Sequence, residues 1–156
     1  MRIAVGSDHR GYAIRGKLLT LLRGLGHEVI DVGSHTSNPV DYPDIAEKVG
    51  RKVTGGEVDR GVLVCGTGLG MSIAANKIPG VRAAACLDDL MAEISRRHND
   101  ANVLCLPADL VGQKSIDRII ETWLNTPFEG GRHARRVAKI RALEEKVACQ
   151  MDRQKE

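Results

Sequence analysis

The sequence predicts an α/β fold in one domain that covers residues 1–156. Short apolar runs alternate along the chain with segments of helical periodicity, and the runs are unbroken, as is typical of strands buried on both faces of a parallel sheet. Five such runs between helices indicate a Rossmann-like three-layer α/β/α sandwich with a five-stranded parallel sheet and an extra C-terminal helix. At 156 residues the chain is long enough to form one core of this kind.

The five predicted strands are residues 3–5, 29–32, 62–64, 81–86 and 102–106. Ligands of such folds bind beyond the carboxyl ends of the strands, near the point where strand order reverses. We therefore expect the functional site in the loops that follow the first and third strands.

Six helices are predicted from apolar residues at helical spacing and from end signals. The first has Ile14, Leu18, Leu22 and Leu25 on one face and ends at Gly26; the second opens at Pro43 and runs toward Val53; the third covers residues 69–77; the fourth is capped by Asp88 or Asp89 and runs to about His98; the fifth contains Ile116, Ile119, Ile120 and Trp123; and the last contains Val137, Ile140, Leu143 and Val147.

Composition and charge exclude several classes of protein. The apolar runs are much shorter than the ~20 residues that span a bilayer, and the start of the chain runs into a polar loop, so we expect no membrane contact, no signal peptide and a cytoplasmic location. Aromatic residues are only 3% of the chain, which leaves few platforms for nucleic-acid bases. Residues 132–156 hold eight Lys/Arg and four Asp/Glu, a basic segment that suits nucleic acid or one small anion.

Four cysteines occur at positions 65, 86, 105 and 149, with gaps too irregular for a zinc site or a redox pair. We expect four free thiols, with Cys86 and Cys105 as buried small apolar residues. Cys65 differs because the glycine loop Cys65-Gly66-Thr67-Gly68-Leu69-Gly70 follows it and precedes a helix. Backbone N–H groups of such a loop can bind an oxyanion, and a thiol beside them suits a base or a nucleophile. The alternative is a structural cysteine at a strand end.

Charged residues occur in two further places at the ends of predicted elements. Asp8-His9-Arg10 follows the first strand, where Asp8 could simply cap a helix. Arg132 and Arg136 lie four residues apart at the start of the last helix, so they share a face and could bind a phosphate or remain a solvated basic surface.

Five motifs occur together in one order: Gly6-Ser7-Asp8-His9, Asp41-Tyr42-Pro43, Cys65-Gly66-Thr67-Gly68 with Ala74-Ala75-Asn76-Lys77, His98-Asn99-Asp100 with Ala101-Asn102-Val103, and Glu129-Gly130-Gly131-Arg132-His133. This set resembles the type B ribose-5-phosphate isomerase family, which also includes galactose-6-phosphate isomerase subunits. The resemblance implies an aldose–ketose isomerase, an intramolecular oxidoreductase that interconverts ribose 5-phosphate and ribulose 5-phosphate through a cis-enediolate. This chemistry needs no cofactor and no metal, and we expect a homodimer with shared active sites, with a tetramer left open.

The resemblance also implies the roles of individual residues. Cys65 is the base that moves the proton between C2 and C1, Thr67 lies beside the thiol, and His98 and Asp8 assist opening of the furanose ring. The implied substrate-binding residues are His9, Tyr42, Gly66, Gly68, Leu69, Gly70, Asn99, Arg132 and Arg136, with His9 and the two arginines on the phosphate.

One position departs from the family pattern. Many relatives have an arginine of the phosphate site in the loop after strand five, where this chain has Asp109. A carboxylate there would repel a phosphate unless it points away or pairs with an arginine, so allose 6-phosphate, galactose 6-phosphate and tetrose 4-phosphates remain alternative substrates. A nucleic-acid-binding module and a catalytically inactive subunit are more distant alternatives; the presence of Cys65 argues against the latter.

The predicted topology separates the two halves of this site. Cys65 ends a strand, whereas His98 ends the helix that runs back along the sheet, and Arg132 and Arg136 follow another such helix. One subunit cannot bring the two groups together, so we expect a two-fold dimer to complete each site.

Overall fold

The structure, a computed structural model, describes residues 1–153. Its elements are β1 Arg2–Ser7, α1 Tyr12–Gly24, β2 Glu28–Asp31, α2 Tyr42–Thr54, β3 Arg60–Cys65, α3 Leu69–Ala75, β4 Ala83–Ala85, α4 Asp89–Asn99, β5 Val103–Pro107, α5 Gln113–Asn125 and α6 Arg132–Arg153. Every predicted strand and helix is present, and the predicted ends differ from the observed ones by two residues at most, about the margin between assignment methods. The predicted fold class is confirmed.

The five strands form one parallel sheet in the order β2-β1-β3-β5-β4. From β1 the chain passes to β2 on one side and then to β3 on the other, so the order reverses between β1 and β3. We call the end of the sheet at which β1, β3 and β5 finish the carboxyl edge, and the end at which they start the amino edge. These two names refer to the ends of the strands and not to the outer strands of the sheet. The loops after β1 and β3 therefore lie side by side at the carboxyl edge, as predicted.

Helices cover both faces of the sheet. On one face α1, α4 and α5 pack on the sheet through Leu18, Ala92 and Ile120, with Trp123 fully buried among them. On the other face α2 and α3 pack through residues that include Val49. Truncating a side chain as deeply buried as Trp123 to alanine typically costs about 3–5 kcal/mol of folding free energy. The two helical layers are therefore packed tightly on the sheet, and they hold the loops at both of its edges in place.

The last helix, α6, extends the domain. It has 22 residues and is therefore about 33 Å long. Its first turns pack on the domain through His133 and Val137, whereas Ile140, Leu143 and Val147 further along are exposed. Among the described residues, no helix combines the length and apolar character needed to cross a membrane.

Candidate active site

Cys65 lies at the end of β3 with its thiol beneath the glycine loop. The residue is only 5% exposed, and its Sγ accepts a hydrogen bond from the Gly68 N–H at 3.2 Å. Gly68 has a φ of 76° and packs on the Cys105 carbonyl, so glycine is needed there both for conformation and for space. The loop thus turns tightly over the thiol and orients it.

The remaining residues of the loop are held by side chains from the loop itself and from α2. Thr67 Oγ1 accepts a hydrogen bond from the Leu69 N–H at 3.3 Å, which leaves the Thr67 hydroxyl hydrogen free to donate. A Cβ on Gly70 would lie 2.8 Å from a ring carbon of Tyr42, so the partly exposed phenol packs directly on the backbone of the loop. Tyr42 therefore lies beside the glycine loop, and its contact with a sugar stays a prediction.

Asp8 and His9 follow β1 next to the glycine loop. The Asp8 N–H donates to the Val64 carbonyl at 3.2 Å, which joins this loop to β3. Asp8 Oδ1 accepts from the N–H groups of Arg10 and Gly11 at 2.9 and 3.0 Å, so the carboxylate closes the turn before α1. It does not cap the helix itself, whose N-cap residue is Gly11. His9 Nδ1 is buried and has no hydrogen-bond partner within the described part of the chain.

The Asp109 carboxylate at this edge forms an ion pair. Arg10 Nε donates to Asp109 Oδ2 at 2.6 Å, and Arg10 Nη2 contacts the same oxygen. The pair packs on Gly66, where a Cβ would lie 2.6 Å from Asp109 Oδ2 and 2.7 Å from Arg10 Nε. The expected repulsion between Asp109 and an anionic ligand is thus offset by an arginine, one of the two conditions under which the sequence allowed a carboxylate here.

A second cluster, at the amino edge, contains His98 and His133. Their rings are stacked with centroids 4.1 Å apart and planes inclined by 3°. Glu129 approaches both, with oxygens 4.0 Å from His98 Nε2 and 3.8 Å from His133 Nε2. Burial, then the neighbouring His98 and Arg132, lower the pKa of His133, whereas a hydrogen bond from Arg97 lowers the pKa of Glu129.

The end of α4 is fixed by ion pairs that place His98. Asp100 has a φ of 48°, in the left-handed region, and ends the helix. Its carboxylate accepts hydrogen bonds from Arg96 and Arg82, each at 2.9 Å. Asn99, next to His98, lines a cleft of about 510 Å³ beneath α6.

Arg132 and Arg136 are exposed on the first turns of α6. Arg132 Nε lies 3.3 Å from His133 Nε2, and neither arginine forms an ion pair with another described residue. Arg132 is therefore next to the His133 ring that stacks on His98, and Arg136 lies one turn further along α6.

The two clusters lie at opposite edges of the sheet. Cys65 pairs with Pro107, whereas Gly61 pairs with Val103, which follows His98 by only five residues. Four strand residues at about 3.3 Å each separate these levels by roughly 13 Å. The structure thus groups Asp8, His9, Tyr42, Cys65, Gly66, Thr67, Gly68, Leu69 and Gly70 at the carboxyl edge and His98, Asn99, Arg132 and Arg136 at the amino edge. It does not bring the two groups together within one chain.

The amino-edge cluster also contains the three residues His98, Glu129 and His133, whose potential ligand atoms all lie within 4.8 Å of one another. A metal ion binds imidazole through the nitrogen lone pair, which lies in the plane of the ring. Because the two ring planes are parallel, their lone pairs cannot converge on one ion in this arrangement. The cluster is better described as a stacked histidine pair with a carboxylate about 4 Å away.

Sequence reasoning assigned no role to Arg10, Glu129 or His133, although all three occur in or beside motifs that it named. Glu129 and His133 have the i, i+4 spacing of an ion pair, and this was the available signal. For Arg10 the signal was its place in the charged loop after the first strand, but nothing local pointed to its partner Asp109, 99 residues away.

Several known proteins are similar to this chain. A family model described as Ribose/Galactose Isomerase matches residues 3–140. This chain belongs to that family. The chain is 46% identical over 145 residues to the ribose-5-phosphate isomerase B of Escherichia coli K12, which covers 93% of this chain and 97% of that protein.

Solved structures of similar proteins share its fold. The ribose-5-phosphate isomerase B of Clostridium thermocellum superposes with a TM-score of 0.93 at 52% identity, covering 94% of this chain and 99% of the other. The ribose-5-phosphate isomerase B of Mycoplasma genitalium, solved with bound ribulose-5-phosphate, has a TM-score of 0.89 at 38% identity over 92% and 96% of the two chains. The chain is thus a member of a family of aldose–ketose isomerases.

Proposed function

We propose that this protein interconverts ribose 5-phosphate and ribulose 5-phosphate, with Cys65 as the base. The observation that carries the proposal is the Cys65 thiol, buried at the carboxyl end of β3 directly beneath a loop of backbone N–H groups and held by the Gly68 N–H at 3.2 Å. The names of the relatives support the substrate. An unpaired Asp109 would repel the phosphate of a pentose phosphate. Because Arg10 pairs with Asp109, this objection to the substrate is weaker.

The proposed reaction moves one hydrogen between two carbons of the open-chain sugar. The Cys65 thiolate takes the proton from C2, the electron pair forms a C1=C2 double bond, and negative charge moves to O1 of the enediolate. N–H groups of the loop over residues 66–70 bind that oxygen, apart from those of Gly68 and Leu69, which donate to Cys65 Sγ and Thr67 Oγ1. Loss of one such donor typically costs 10²–10³ in rate. The thiol then returns the proton to C1, while the hydroxyl of Thr67, free to donate, passes the remaining proton from O2 to O1. No redox cofactor enters this scheme.

The amino-edge residues complete the site from a second subunit in this proposal. His98 of one chain and Asp8 of the other assist opening of the furanose ring, Arg132 and Arg136 bind the phosphate together with His9, and Tyr42 and Asn99 contact the sugar. What supports a dimer is the roughly 13 Å between the two edges and the exposed apolar stripe of α6, in which Leu143 is 61% exposed. A cytoplasmic location remains a prediction, which the four free cysteines support.

Substitution of Cys65 tests the proposal. Cys65→Ala should lower the exchange of the C2 hydrogen of ribose 5-phosphate with solvent by 10²–10⁴-fold, the usual contribution of a positioned base, and should leave binding of the sugar phosphate within about threefold. The matched control is Cys149→Ala, which removes an exposed thiol and should keep full exchange. Retention of exchange in the Cys65 variant would refute the role of this residue.

A further inference from the structure

The Arg10–Asp109 ion pair is a part of the carboxyl edge to which the proposed reaction gives no role. Its two residues come from the loops after β1 and β5, on either side of the glycine loop after β3. The backbone of both loops is fixed: the Arg10 N–H donates to Asp8 Oδ1 at 2.9 Å, and the Asp109 N–H donates to the Gly66 carbonyl at 3.0 Å. The backbone that carries the pair is therefore fixed on both sides of the glycine loop.

The guanidinium of Arg10 has a defined position and unused donors. Its Nε and Nη2 both face Asp109 Oδ2, while Nη1 has no hydrogen-bond partner among residues 1–153. The Arg10 side chain is 58% exposed and that of Asp109 is 36% exposed, so the free edge of the guanidinium is accessible at the rim of the site. A planar donor group fixed on one edge is suited to bind an oxyanion with the other.

The surroundings make an anion the natural ligand of that edge. Arg10 follows His9, whose Nδ1 is buried without a partner in the described chain. Its Nε lies against Gly66, the first residue of the oxyanion-binding loop. A side chain at position 66 would displace the ion pair, because a Cβ would lie 2.7 Å from Arg10 Nε.

We propose that Arg10 is a further substrate-binding residue that donates to the phosphate group, and that Asp109 is a positioning residue that holds its guanidinium. This inference rests on the proposed function for its substrate, though not for its test. Asp109 neutralises part of the charge of Arg10, but the ligand meets the far edge of the guanidinium and so lies closer to the cation than to the carboxylate.

The test compares binding and turnover in variants of the full chain. Arg10→Met should raise the dissociation constant for inorganic phosphate and the KM for ribose 5-phosphate by about tenfold, the order expected for one lost hydrogen bond between charged groups. The kcat should stay within about twofold, because Arg10 does not contact the reacting carbons. Arg118→Met is the matched control: Arg118 is likewise an exposed arginine paired with an aspartate, Asp89, and its loss should change neither constant.

A double variant separates binding from damage to the loop. In Arg10→Met the carboxylate of Asp109 is left unpaired beside the phosphate and adds repulsion, so Arg10→Met/Asp109→Ala should regain part of the lost phosphate affinity. If the single variant merely disturbed the loop at Gly66, removing the second partner would restore nothing, and the proposal would be wrong.

Other outcomes overturn the proposal as clearly. Unchanged phosphate binding in folded Arg10→Met protein would remove Arg10 from the binding site, and a loss confined to kcat would place it at the reacting carbons instead. If the wild-type protein bound phosphate but isomerised no sugar phosphate, the proposed function would fail, whereas the effect of Arg10→Met on phosphate binding would still decide the role of Arg10.

Discussion

At the scale of single residues, the four thiols differ in their surroundings. Burial raises the pKa of Cys86 to about 11 and that of Cys105 well above its usual value. Near neutral pH both are therefore present as thiols, which react slowly with alkylating reagents. Cys149 is exposed, and Cys65 lies next to the glycine loop.

We predict that iodoacetamide at pH 7.5 modifies Cys149 first, without loss of activity, and Cys65 second, with loss of activity in proportion to its modification. Cys86 and Cys105 should remain unmodified until the protein unfolds, because they are buried and protonated. Mass spectrometry of peptides from timed samples measures all four sites. In Cys149→Ala protein, one alkyl group per chain should suffice for inactivation; labelling of Cys105 before Cys65 would contradict this order.

The stacked histidines give a second prediction at this scale. The pKa of His133 is lowered in the folded chain, chiefly by burial, so the folded state binds fewer protons than the unfolded state around the ordinary histidine pKa of about 6.5. His133 therefore contributes to the free energy of unfolding above that pH, and the contribution is lost as the pH falls below it.

The expected result is a fall in Tm between pH 7.5 and pH 5.5 that is smaller in His133→Gln protein than in the wild type. Glu129, whose pKa is also lowered, contributes only at more acidic pH and should not change this comparison. Equal falls in both proteins would show that other groups control the acid response.

At the scale of elements, the turn into α6 decides where its basic residues lie. Gly130 and Gly131 have φ values of 71° and 53°, and a Cβ at either position would meet no atom within 4 Å. Glycine is thus required here for its backbone conformation alone, and alanine in this region costs about 1–2 kcal/mol.

Gly130→Ala should lower the free energy of unfolding by about 1–2 kcal/mol and should raise KM, since α6 presents Arg132 and Arg136. Gly16→Ala is the matched control: Gly16 is in the middle of α1 with open space around it, and alanine there should stabilise the protein by about 0.5–1 kcal/mol. Chemical denaturation and steady-state kinetics measure both quantities. Equal stability of the two variants would mean that the turn relaxes at no cost.

At the scale of the whole molecule, the separation of the two edges predicts complementation between subunits. Mixed Cys65→Ala and His98→Asn proteins should regain up to about a quarter of the wild-type activity, because random exchange makes half the dimers mixed and each has one intact site of two. Mixed Cys65→Ala and Thr67→Ala proteins should regain none, since both residues lie at the carboxyl edge. Recovery in neither mixture, after verified exchange, would refute the shared site.

Whether a feature depends on neighbouring or on distant residues explains what the sequence could and could not predict. The strands, the helices and the glycine loop after Cys65 depend on neighbouring residues, and their positions were predicted to within two residues. From the sequence, Asp109 could either point away from a phosphate or pair with an arginine. Its partner Arg10 is near only because β1 and β5 flank β3. Likewise His98 and His133 stack only because the turn at Gly130 and Gly131 brings α6 back to α4.

The placement of the two clusters at opposite edges also has an evolutionary consequence. After a gene duplication, a copy that lost Cys65 would keep His98, Arg132 and Arg136 intact at its amino edge. In the proposed dimer such a copy would still complete one site of its neighbour, so selection would act on each edge separately. Two diverged copies, each retaining the edge that the other has lost, would then persist only as a heteromeric pair with a single working site.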